Sequence, residues 1–139
     1  MRTEEEAFDT PRLFVGAQIA PGRWGRLIAA TGPTHPHFYR EDLFEAVRSH
    51  EFPDRPSRLT CGYAWIGEPG WAEPDPTEHV YEVAYPGGDA FPAHMGYLTD
   101  ASGVPLGELI ERARAYWRGD GALNELLVPG ELEVVAVIR

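Results

Sequence analysis

Glu125 is the residue best placed to do chemistry. It stands just before an apolar run, Leu126, Leu127 and Val128, which Pro129 and Gly130 interrupt before the chain resumes as Glu131 to Ile138. A carboxylate at the edge of an apolar strand loses hydration unless something pairs with it. Held by rigid neighbours on both sides, it stands where a fold puts a carboxylate for chemistry rather than for solubility. The competing reading is an exposed loop glutamate following residues 121–124. Glu131 and Glu133 alternate with Leu132 and Val134 and read as a solvated strand face.

A second group is Ser57 and Arg58, read as the opening of a strand, where a hydroxyl and a fork of N–H donors could meet a ligand phosphate or amide. The alternative is a turn serine beside a solvated arginine. A third is the aromatic set Phe14, Trp24, Tyr63, Trp65, Tyr97, Tyr116 and Trp117. Flat rings suit stacking on a flat ligand, but most are needed to fill the core of a small domain. Tyr63 and Trp65, close to Ser57, are the expected site members. His35 and His37, with Glu41 and Asp42 nearby, lack a further ligand at a recognisable metal-binding spacing, so no metal site is expected. No phosphate-binding glycine loop, zinc-protease or serine-hydrolase motif is present in the sequence. Cys61 reads as a buried, inert thiol.

The elements that must position these residues follow from the pattern. Residues 1–10 read as a loosely docked, flexible lead-in and residues 11–139 as one domain. Residues 12–17 predict a first strand, weakened at Gly16, and residues 23–28 a short second one. Leu43, Phe44 and Val47 predict an amphipathic helix over 40–50, stopped by Pro53 and Pro56. Over 57–66, Leu59, Cys61, Tyr63 and Trp65 alternate with Arg58, Thr60, Gly62 and Ala64, which predicts a strand; 79–85 predicts another. Residues 86–105 read as a long surface loop, 106–117 as a second helix ended by Gly119, and 132–138 as the last strand. The expectation is an α+β domain of short mixed or antiparallel strands in a split sheet with two main helices.

Composition sets the outer bounds. The 139 residues suffice for a core without staples, and a single cysteine precludes an internal disulfide. No apolar run reaches the length of a membrane span and the acidic start is not a leader, so a cytoplasmic protein without membrane partners is expected. A net charge of −10 argues against a nucleic-acid surface. All twelve basic residues are arginine, which holds phosphates and carboxylates in planar, bidentate contacts.

The order of these elements resembles the ADP-ribosyltransferase superfamily, particularly its small bacterial members. The likeness spans residues 12–138. Leu13-Phe14-Val15-Gly16 is similar to the family's first strand, Pro56-Ser57-Arg58-Leu59 with Tyr63 to its middle strand, and Glu125 with Pro129 and Gly130 to its late glutamate segment. The resemblance implies NAD as substrate, with Glu125 stabilising an oxocarbenium-like transition state as the nicotinamide–ribose bond breaks. It places Arg12, Val15, Gly16, Ser57, Arg58, Tyr63 and Trp65 around the cofactor, and a small molecule or protein as acceptor. The chain departs at one point. Val15, or Phe14 under a one-residue shift, stands where the family carries an NAD-anchoring Arg or His, leaving Arg12 or Arg58 to supply that contact. The resemblance equally admits a non-catalytic member binding a nucleotide or protein, or a biosynthetic enzyme reusing the cleft.

Overall fold

A computed structural model of the chain describes residues 12–15, 21–67, 79–98 and 102–138. The expected lead-in at 1–10, Gly16 and much of the loop preceding residue 79 lie outside these residues. The described strands are β1 (Leu13–Val15), β2 (Gly62–Ile66), β3 (Tyr81–Ala84), β4 (Phe91–Ala93), β5 (Glu125–Val128) and β6 (Glu133–Val137). They form one six-stranded sheet in the order β4-β5-β2-β1-β3-β6. Each neighbouring pair is antiparallel. The helices are α1 (Arg23–Thr31), α2 (Phe38–Glu51) and α3 (Leu106–Arg118). The chain is therefore an α+β domain with three α-helices among the described residues, not two. None of its helices there is long and apolar enough to cross a membrane.

Strand alternation splits the apolar residues between two faces. On one face Phe91 and Leu127 pack with Phe44 and Val47 of α2 and with Ala113, Tyr116 and Trp117 of α3. The indole of Trp117 donates to the Phe44 carbonyl oxygen at 2.9 Å, fixing α3 on α2. On the other face Val15, Ala64 and Val83 form a second, smaller cluster with Leu126. The two clusters occupy opposite faces of the sheet and lie back to back at β2 and β5, where Tyr63 and Leu127 face one and Ala64 and Leu126 the other.

Three expected elements differ. Residues 23–31 are helix because Trp24 and Ile28, four apart, turn inward together while Arg23 and Arg26 face out, and Gly25 lets the helix lie directly on another backbone. The strand expected from residue 57 starts only at Gly62. Ser57 closes a turn first: its hydroxyl accepts from Leu59 N–H, and its carbonyl accepts from Thr60 and Cys61 N–H. The loop expected over 86–105 contains β4 and a 3₁₀ turn at Met95–Leu98. Pro92 is tolerated in β4 because this strand forms the sheet edge. Helix α3 ends as expected, at Gly119 with φ 82°.

Candidate functional site

Glu125 is the first residue of β5 and pairs in register with Trp65 of β2 and Ala93 of β4. Alternation turns its side chain to the helix-covered face, beside Leu127 and beneath α3. It is 5% exposed. A carboxylate that deep requires partners, and two elements supply them. Tyr116, on the inner face of α3, donates its hydroxyl proton to Glu125 Oε2 at 2.8 Å. Arg58 Nη1 donates to the same oxygen at 3.0 Å and to the Tyr116 hydroxyl at 2.7 Å. Both contacts fall on Oε2. Oε1 has no hydrogen-bond partner among the described residues.

Arg58 reaches Glu125 because it belongs to the turn after Ser57 rather than to a strand. Its guanidinium points inward, 5.0 Å from the Tyr63 ring centroid and 5.4 Å from that of Tyr116. The Tyr63 hydroxyl donates back to the Arg58 carbonyl, which ties the turn to β2. On its far side Arg58 grips Glu41 of α2, with Nε 3.0 Å from Oε2 and Nη2 3.1 Å from Oε1. Glu41 also accepts from Arg40 Nη2 at 2.8 Å. The result is a buried chain of alternating charge, Arg40–Glu41–Arg58–Glu125, closed by Tyr116.

Proton affinities follow this arrangement. Burial alone would push the Glu41 carboxyl up, but Arg58 and Arg40 outweigh it and hold the group below the usual carboxylate range. Burial also works against the charge on Arg58, yet Tyr116, Glu125, Tyr63 and Glu41 hold that guanidinium firmly protonated. Burial pushes the Tyr63 and Tyr116 hydroxyls up, so both stay protonated and able to donate. Cys61, buried just before β2, is pushed up to about 12, the mark of an unreactive thiol.

A cavity of about 340 Å³ opens against this chain. Tyr63, Arg58 and Glu125 line its sheet side; Trp24 of α1, Arg40 of α2, His37, Met95 and Leu98 line the other. His37 is the N-cap of α2, and its ring lies 6.4 Å from that of Trp24. Arg40 is fixed by Nη1 donating to the Leu98 carbonyl oxygen at 2.7 Å. The volume falls at the small end of the ~300–1,000 Å³ typical of ligand pockets.

The structure brings Glu125, Arg58 and Tyr63 together and separates the other expected members. Val15 packs in the opposite cluster with Ala64 and Val83, because the register that turns Phe14 toward the face of Trp65 and Glu125 turns Val15 away. Arg12 is drawn off to Glu82, with Nη2 2.8 Å from Oε1, and stacks on Phe14. The Ser57 hydroxyl donates to Glu45 Oε2 at 2.7 Å and stabilises its turn. Trp65 lies opposite Glu125 in the ladder but is not among the described cavity-lining residues. Gly16 lies outside the described residues. Glu41 and Arg40 were missed, although a signal exists: they sit three and four residues before Phe44, flanking the apolar stripe of α2 rather than its solvated side.

Residues 23–139 match a protein-family model described as protein of unknown function (DUF2441), a span that includes every described cavity-lining residue. No curated protein matches the chain.

Proposed function

We propose, from the premise that the chain belongs to the DUF2441 family, that its cavity takes the nicotinamide-ribose half of NAD. The reaction is ADP-ribosyl transfer or NAD hydrolysis of the ADP-ribosyltransferase type. The observation that carries this reading is the Glu125 carboxylate, anchored through Oε2 by Arg58 and Tyr116 while Oε1, beside the cavity, has no partner among the described residues. An acceptor held in that way is suited to the ribose 2′-hydroxyl. The C1′–N1 bond breaks with its electron pair passing to the pyridinium nitrogen, so nicotinamide leaves neutral and needs no general acid. The ribose becomes oxocarbenium-like, and water or an acceptor hydroxyl adds at C1′ and loses its proton to solvent. Glu125 strengthens its bond to the 2′-hydroxyl as positive charge grows, which lowers the barrier rather than merely tightening binding. Tyr63 offers a ring to the nicotinamide from the sheet side.

Glu125→Gln isolates this role. The glutamine carbonyl can take the place of Oε2 and accept from Arg58 and Tyr116, while its NH₂ replaces the acceptor Oε1 with a donor. Nicotinamide release from NAD is expected to fall at least ~100-fold, a loss on the order of one preorganised electrostatic contact, in a variant that still folds but melts lower because Arg58 loses one of its two counter-charges. Unchanged turnover in a folded variant would sink the proposal.

A second reading, a binding module without turnover, is favoured by one feature. On β1 an apolar ring, Phe14, occupies the face that Glu125 shares, and Arg12 is engaged with Glu82. Calorimetry with NAD separates the two readings, since binding without nicotinamide release supports the module.

A further inference from the structure

We infer that the helical end of the cavity, formed by Trp24, His37 and Arg40, is a phosphate subsite; this rests on the nucleotide reading above and assigns the group that carries the ligand's negative charge. Two buried donors of residues lining the cavity have no hydrogen-bond partner among the described residues: the indole Nε1 of Trp24 and Nε of Arg40. Arg40 is only 8% exposed, and its other guanidinium nitrogens are already directed to the Leu98 carbonyl and Glu41. Unsatisfied buried N–H groups are costly and rare in native proteins, and where they occur together they call for an acceptor. Arg40 lies in the first turn of α2, and the His37 cap gives that helix no side-chain hydrogen bond. The positive end of a fourteen-residue helix dipole therefore faces the same region. A cation, an oriented helix end and two unmatched donors select an oxyanion over a neutral carbonyl. Glu41 does not cancel this preference, because Arg58 shares its charge from the other side. Glu125 repels an anion from the sheet end, so the phosphate belongs at the helical end, with the ribose between.

The phosphate could be an ester of the ligand or the free ion, and three probes distinguish them: nicotinamide mononucleotide, nicotinamide riboside and inorganic phosphate. In ¹⁵N-labelled protein, the indole N–H resonance missing from Trp24→Phe identifies Nε1. That resonance is expected to shift with the mononucleotide and with phosphate, and to stay in place with the riboside. Calorimetry is expected to give at least tenfold tighter binding of the mononucleotide than of the riboside. Trp24→Phe keeps the ring and loses the N–H; Arg40→Lys keeps the charge and loses Nε. Each should weaken mononucleotide binding about tenfold and leave riboside binding unchanged, with thermal melts confirming that both fold. Equal affinity for mononucleotide and riboside would overturn the subsite, as would wild-type mononucleotide affinity in both variants, or no response to any probe. Phosphate that shifts the Trp24 resonance in a protein releasing no nicotinamide would preserve the subsite and remove NAD turnover.

Discussion

Residue by residue, the site depends on what Arg58 answers. It lies between Glu41 and Glu125 and bonds to both, while the Tyr116 hydroxyl bridges it to Glu125. Removing the cation leaves two buried carboxylates facing each other, whereas removing the hydroxyl leaves the direct Arg58–Glu125 contact in place. Arg58→Met is accordingly expected to cost about 3–5 kcal/mol, the range for breaking a buried ion pair from one side. Tyr116→Phe should cost about 1–2 kcal/mol, as for one buried hydrogen bond. Urea midpoints check the order, and a Tyr116→Phe loss equal to that of Arg58→Met would show that the hydroxyl, not the charge, holds the chain together. At this scale the sequence was partly legible. Glu125 stood out because an acid beside Leu126, Leu127 and Val128 conflicts with burial. Glu41 did not, since its place beside the apolar stripe of α2 is the one local signal and the acids and arginines alternating along that helix obscure it. Arg58 was placed on the wrong face because the strand pattern ran through the Ser57 turn, whose hydrogen bonds leave no trace in hydrophobic periodicity.

At the level of elements, α1 carries the main departure from expectation and also one wall of the cavity. It lies directly against the turn before β2: a Cβ added to Gly25 would sit 1.8 Å from the Leu59 carbonyl oxygen. That atom is backbone and cannot swing aside, so Gly25→Ala must push α1 outward and carry the adjacent Trp24 with it. We expect a loss of at least about 1–3 kcal/mol, as for overpacking, together with weakened ligand binding. Gly119→Ala is the matched control. Its φ of 82° makes any side chain strained, but nothing lies within 4 Å of the added Cβ. The expected cost is about 1–2 kcal/mol from the left-handed backbone alone, with binding unchanged. Equal binding losses in the two variants would refute the role of close packing at α1. The Gly119 cap could be read directly because glycine after a periodic helix has a local meaning. The Gly25 contact could not, since its cause lies in Leu59, far along the chain, and β4 escaped notice because a three-residue edge strand containing Pro92 carries too few alternations to register.

For the molecule as a whole, the α+β class and single domain follow from local pattern, whereas the order β4-β5-β2-β1-β3-β6 depends on pairings between distant segments and had to be observed. Acid stability reaches beyond α2, because its carboxylates hold the turn before β2, and Arg58 of that turn is tied in turn to Glu125 of β5 and Tyr116 of α3. Glu41 is bound by Arg40 and Arg58, and Glu45 by Arg48 and Ser57. In both, burial raises the proton affinity but the arginines and hydrogen bonds overcome it, so the folded carboxyl ionises below its unfolded counterpart. The unfolded chain then binds protons first as pH falls. Stability from these groups is complete above the unfolded value of about 4.3 and is lost as pH drops through the lower folded values. Urea midpoints from pH 7 to pH 3 should therefore fall steeply below about pH 4.3, even though protonation also relieves part of the −10 net charge. Glu41→Gln should start less stable at pH 7, with an Arg58 charge left less compensated, and should show a shallower acid limb because one linked proton is gone. A variant whose midpoints fall as steeply as the parent's would mean that the buried chain is not what acid dismantles.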